Sequence, residues 1–170
     1  MSNLVERMIR AAKLDVNLYE EVEADKTALG QSMTVVILSS VAAGIGSITQ
    51  SGIPGIIFGT ISALIGWLIW SYITYIIGTK VLPTPETQAD YGELLRTIGF
   101  SSSPGLIRVL GIIPGLGAIV FFVAGIWMFV NMIIAVRQAL DYTSTLRAVG
   151  VCIIGGIIQG IVIGIFFGLI

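Results

Sequence analysis

QSMTVVILSSVAAGIGSITQSGIPGIIFGTISALIGWLIWSYITYIIGT, residues 31–79, contains not one charged side chain. About 20 apolar residues suffice to cross the hydrocarbon of a bilayer, so this run is long enough for two crossings. Its middle carries a turn signal, Gln50-Ser51-Gly52-Ile53-Pro54-Gly55, in which glycine and proline interrupt the helical pattern. Two spans follow, 31–49 and 53–78, joined by a tight loop. Backbone groups in lipid can be satisfied only within helices or closed barrels. The run lacks the period-two alternation of a barrel strand, so the fold class is all-α.

The rest of the chain repeats this pattern. A polar segment from Lys80 to Arg96 is followed by residues 97–136, where Arg108 is the single charge. One helix of that length would be about twice as long as the hydrocarbon is thick. The break Ile113-Pro114-Gly115-Leu116-Gly117 divides it into a third span, 94–113, and a fourth, 116–136. Ser101-Ser102-Ser103-Pro104 should break or kink the third. After the charged loop from Arg137 to Arg147, residues 148–170 form a fifth span. The expectation is a five-span helical bundle, residues 31–170, behind a short amphipathic cytoplasmic segment, residues 1–30.

Charge orients the bundle. Eight of the nine basic residues fall on the side of the N-terminus, and the opposite loops carry no charge. Lys and Arg stay on the cytoplasmic side, so the N-terminus is expected inside and the C-terminus outside. Residues 1–30 are charged throughout and have no apolar core segment, so no cleavable signal peptide is expected there.

Composition agrees, with 55% hydrophobic residues, 11% charged and 21 glycines in 170 residues. Soluble domains carry about 25% charged residues to cover their surface. A net charge of −1 favours no nucleic-acid partner. Histidine is absent and Cys152 is the one cysteine, which removes His-containing triads, an intrachain disulfide and multi-cysteine metal sites. No phosphate-cradling loop or nucleophile–base set is present. Neither an enzyme nor a cofactor is expected.

In the N-terminal segment, the spacings Asn3…Glu6 and Asn17…Glu20 read as capping boxes opening helices near 4–15 and 18–29. Leu4, Val5, Met8, Ile9 and Ala12 share a helical face opposite Arg7, Arg10 and Lys13, which suits the headgroup layer. Packing on the protein's own loops is the equal alternative. Glu20, Glu21, Glu23 and Asp25 read as a solvated acidic face rather than a cation site.

Within the spans, Gly156, Gly160, Gly164 and Gly168 recur every four residues, as do Gly55, Gly59 and Ala63. Small residues at this spacing let helices approach closely, within the chain, with a second copy or with another membrane protein. Arg108 lies near the outer turn, where snorkelling or carbonyl capping is favoured over a functional role. Asn131 and Gln159 suit interhelical hydrogen bonds. Tyr72 and Tyr75 fit an aromatic belt, with packing assigned to Trp67, Trp70 and Trp127.

Several stretches together resemble the prokaryotic branch of the Yip family, the Ypt/Rab-interacting membrane proteins. They are Leu18-Tyr19-Glu20-Glu21-Val22-Glu23-Ala24-Asp25-Lys26-Thr27, Gly66-Trp67-Leu68-Ile69-Trp70, Leu94-Leu95-Arg96-Thr97-Ile98-Gly99-Phe100 and Gly125-Ile126-Trp127, then Ala135-Val136-Arg137-Gln138-Ala139-Leu140 and Arg147-Ala148-Val149. The resemblance implies a five-span bundle with a cytoplasmic N-terminus, placed in the plasma membrane of a prokaryote. Family members that bind Rab-type GTPases carry an Asp-Leu-Tyr-Gly-Pro motif on a long tail. Here Asn17-Leu18-Tyr19-Glu20-Glu21 lacks the Gly-Pro, so Rab binding is not carried over. The functional expectation is a non-enzymatic membrane-organising or interaction scaffold. The alternative is a transporter or channel for a small solute, which would need a polar path near Arg108, Asn131 and Gln159.

Overall fold

The computed structural model describes residues 3–166 and Gly168. The last residues of the expected fifth span, 167, 169 and 170, lie outside the described residues. Among those described there is no strand.

Helix α1, Leu4–Ala12, starts at Asn3, whose side chain accepts from the Val5 backbone N–H at 3.4 Å. Leu14, at φ 63°, turns the chain into α2, Val16–Ala24. The cap of α2 is Asp15, accepting from Asn17 N–H at 3.0 Å. Asn17 therefore sits inside the helix instead of capping it, because an acceptor two residues earlier takes the free N–H groups first. A single 3-10 turn, Lys26–Ala28, leads into α3, Leu29–Gly46.

The expected Gly-Pro turn is present in compressed form. Helix α4, Ile48–Ile76, is interrupted at Gly52 (φ 63°, ψ −171°), with Pro54 two residues later. Glycine alone takes that φ without strain, and proline is tolerated where a helix begins because no N–H is needed there. Helix α4 closes on a π-helical turn, Ile77–Val81.

The third stretch is not one α-helix. Helix α5, Tyr91–Ser101, opens with a reciprocal capping box between Asp90 and Glu93. After Ser102 the chain tightens into a 3-10 helix, Ser103–Ile112. Pro104 supplies no N–H and disfavours an α conformation at the residue before it. The Ser101 and Ser103 hydroxyls donate to the carbonyls of Ile98 and Phe100, both at 2.7 Å. Helices α6, Gly117–Ala139, and α7, Thr145–Phe166, complete the chain.

Among the described residues, four segments are long and apolar enough to cross a membrane: Lys26–Gly46, Ile48–Val81, Gly117–Ala139 and Thr145–Ile165. They expose large apolar side chains outward, among them Phe58 and Phe122 at 69% and 70% exposure. In water that would be an aggregating surface, whereas hydrocarbon makes it the natural exterior.

Residues 4–24 pack against the bundle. The Tyr19 hydroxyl donates to Asn131 Oδ1 at 2.7 Å, the Trp127 indole N–H to the Ala12 carbonyl at 2.8 Å, and Arg96 Nε to the Val22 carbonyl at 2.9 Å. One apolar core joins Met8, Leu18, Tyr19 and Val22 of this segment to Val35, Phe100 and Ala135. A second gathers Trp67, Ile77, Leu94, Ile98, Leu140 and Val151 near the charged loops. There the Tyr142 hydroxyl donates to the carbonyls of Gly78 and Leu82 at 3.1 and 2.7 Å, and Arg147 donates to Pro83 O at 2.9 Å.

Candidate functional site

A 3-10 helix has three residues per turn, so side chains at i and i+3 lie in line. Ser102, Gly105, Arg108 and Gly111 therefore form one row, and that row faces α3. A Cβ on Gly105 would strike Ser39 Oγ, one on Gly46 would strike the Arg108 carbonyl, and one on Gly111 would lie 2.9 Å from the Gly46 carbonyl. Glycine at 46 and 111 lets two backbones meet, and glycine at 105 leaves room for the Ser39 and Arg108 side chains on the inner side.

Arg108 does not reach outward. Its Nε donates to the Gly105 carbonyl at 3.1 Å, and Nη2 donates to Ser39 Oγ at 2.7 Å and the Ser39 carbonyl at 3.4 Å. Among the described residues, no carboxylate forms an ion pair with it. Its head lines a cavity of about 290 Å³ with Ser39 and Ser40 of α3, Gly66, Trp67 and Trp70 of α4, Ser102, Met128 and Met132 of α6, and Gln159 of α7. One water needs roughly 10–15 Å³ of such space, so a ligand-sized group fits. A second cavity of about 360 Å³ lies between α4 and α7, lined by Ser62, Ile65, Gly66, Ile69, Gln159, Val162 and Ile163. Gly66 and Gln159 line both.

Two of the three intramembrane polar residues thus share a space. Asn131 is elsewhere, fully buried, accepting from Tyr19 and donating Nδ2 to the Ser101 carbonyl at 3.3 Å. It ties α2, α5 and α6 together.

The glycine stripes meet little within the chain. Gly59, Gly156 and Gly160 have open space where a Cβ would go, and Gly55 faces only Ser51 of its own helix. Ala63 lines the Arg108 cavity, and Gly164 is buried. Gly168 falls beyond the end of α7 at φ 66°, the left-handed conformation that commonly ends a helix. Internal contact is made by other glycines: Gly155 against Trp70, Gly99 against Ser32 and Gly78 against Leu140.

Of the three basic residues placed toward headgroups, Arg7 is buried at 4% exposure. Its guanidinium pairs with Glu21 and Asp25, each at 2.8 Å, while Arg10 pairs with Asp15 and Glu21. Lys13 is exposed. The face expected to be apolar is divided, with Met8 inward and Val5 and Ile9 exposed. The cause is local: three carboxylates on α2 and its flanks draw Arg7 and Arg10 to the inner side. Asp25, bonded by the Thr27 hydroxyl and by Arg7, is held down at about 2. Glu23 behaves oppositely. Partial burial, then the negative charges of Asp141, Glu93 and Glu20, push its carboxyl up to about 8, against the pull of Arg96.

The Ser39, Ser40 and Ser102 hydroxyls escaped the sequence reading. The available signal was the spacing of three in Ser102-x-x-Gly105-x-x-Arg108-x-x-Gly111. The Asp90…Glu93 capping box was also there to be read.

A family model described as the Yip1 domain matches residues 19–167. No curated protein and no solved structure matches the chain.

Proposed function

Because the chain belongs to the Yip1 domain family, we propose that it is a non-enzymatic integral membrane protein that organises partners, or a second copy of itself, through an uncovered helix face. The observation that carries this reading is on α7. Gly156 and Gly160 are open, flanked by exposed Ile153, Ile157 and Ile161, while Gly155 one residue away is closed by Trp70. The helix uses one side for its own bundle and presents the smooth side to the bilayer, where small residues favour helix association.

In this reading α5 and the 3-10 helix together count as the third crossing. They supply about 16 Å and about 20 Å of length. The N-terminal segment then lies on the cytoplasmic side of a prokaryotic plasma membrane, with the glycine-rich end of α7 outside. Leu18 and Tyr19 are fully buried against the bundle, so the stretch aligned with the GTPase-binding motif is used internally, and GTPase capture forms no part of the proposal.

Crosslinking and mass spectrometry in native membranes tests this. A homo-oligomer or a reproducible partner joined through α7 is expected, and Gly156→Leu with Gly160→Leu should remove it without unfolding the bundle. An unchanged crosslink pattern in that double variant, or a strict monomer, overturns the reading.

Transport of a small solute is the second reading, favoured by Arg108 and Gln159 lining one cavity. Flux in liposomes that is abolished by Arg108→Gln would decide for it.

A further inference from the structure

An arginine inside a membrane bundle without a carboxylate partner is an unbalanced charge in a medium that penalises charge. Arg108 is in that position. Its Nε and Nη2 are taken by Gly105 and Ser39, and none of the hydrogen bonds among the described residues engages its Nη1, the Ser102 hydroxyl or the Gln159 amide. These groups line one cavity. They are donors around a void, which is the chemistry of an anion site. Arginine suits phosphate oxygens in particular, since its planar fork presents paired N–H groups.

The void is not closed to lipid-facing space. At Gly66 and Gln159 it adjoins the second cavity, whose walls, Ile65, Ile69, Val162 and Ile163, are aliphatic. Gly66 lines both cavities, and a Cβ there would stand in ordinary contact with Gln159 Nε2 at 4.0 Å, so a larger side chain would enter the junction. A chamber that holds one arginine and three serines among tryptophans and methionines, and that continues into an aliphatic groove between two membrane helices, has the shape and polarity of an amphiphile.

We propose that this pair of cavities binds an anionic phospholipid, with its phosphate on Arg108, Ser102 and Gln159 and an acyl chain along the α4–α7 groove. The site does not require helix association through Gly156 and Gly160, and Ile163 of the groove stands one turn from Gly160 on α7.

The test measures thermal unfolding of the detergent-purified protein with phosphatidylglycerol, phosphatidylcholine or inorganic phosphate, together with native mass spectrometry of retained lipid. Phosphatidylglycerol should stabilise and be retained, and the other two should not. Arg108→Gln should weaken phosphatidylglycerol at least about tenfold. Gly66→Leu, which blocks the junction and leaves every Arg108 hydrogen bond in place, should do the same. Equal stabilisation by phosphatidylcholine, whose phosphate is offset by its own choline cation, overturns the preference for an anionic lipid. An effect of inorganic phosphate matching that of the lipid assigns the chamber to a free anion and overturns the lipid. Retention of phosphatidylglycerol by folded Gly66→Leu overturns the groove.

Discussion

Glu23 and Asp25 stand two positions apart in one acidic run and have opposite fates. Glu23 is turned toward Glu93 and Asp141, brought from elements far along the chain, whereas Asp25 meets Arg7 and Thr27. Unfolded, the Glu23 carboxyl titrates near its ordinary value, about 4.3; folded, it holds its proton up to about 8. Between those values the native state binds more protons than the unfolded one, so stability falls as pH rises through the window. The unfolding temperature in detergent should decline from pH 5 to pH 8, and Glu23→Gln should flatten that decline. A variant with the parent slope would remove Glu23 as its source. For Asp25 the sign is reversed, its contribution being present above its ordinary value and lost as pH falls toward 2. The run Glu20, Glu21, Glu23, Asp25 was legible as acidic, but not which of its members would meet a cation. That depends on how α1 packs against α2, which brings Arg7 and Arg10 to Glu21 and Asp25 from 11 to 18 positions away.

Among the elements, the junction of α3 with the 3-10 helix Ser103–Ile112 departs furthest from the expected pattern. Glycines repeating every four residues pointed to α7, yet backbones inside the chain meet at Gly46 and Gly111, and Gly105 leaves room for the side chains of Ser39, Arg108 and Met128. The reason is periodicity. Pro104 and its serines force three residues per turn, which aligns 102, 105, 108 and 111, and a wheel drawn at 3.6 residues scatters them. Gly105→Ala should destabilise the protein by about 1–3 kcal/mol, as overpacking does. Gly160→Ala, with open space around it, should be neutral or stabilise slightly through helix propensity, by at most about 1 kcal/mol. Chemical unfolding in mixed micelles checks the order, and equal losses at both positions would contradict the account.

For the molecule as a whole, the spacing of apolar runs and charged loops gives an expected side for each loop. With Cys152 replaced by serine, single cysteines at Ser51, Glu86 and Ser144, all exposed, should label with 86 and 144 on one face of the membrane and 51 on the other. Labelling of 86 and 144 from opposite faces would mean that residues 91–112 return without crossing. The all-helical class, the apolar helices and the turns at 50–55 and 113–117 could be read directly from residue order, because a bilayer imposes its thickness and its exclusion of charge on each segment separately. Residue order left open the docking of α1 and α2 on Asn131 and Trp127, the inward turn of Arg108 and the cavity it shares with Gln159. Those were decided by tertiary structure, since each depends on which helix faces come together across 50 or more intervening residues; a local period of three aligns 102, 105, 108 and 111 but does not say what that row meets.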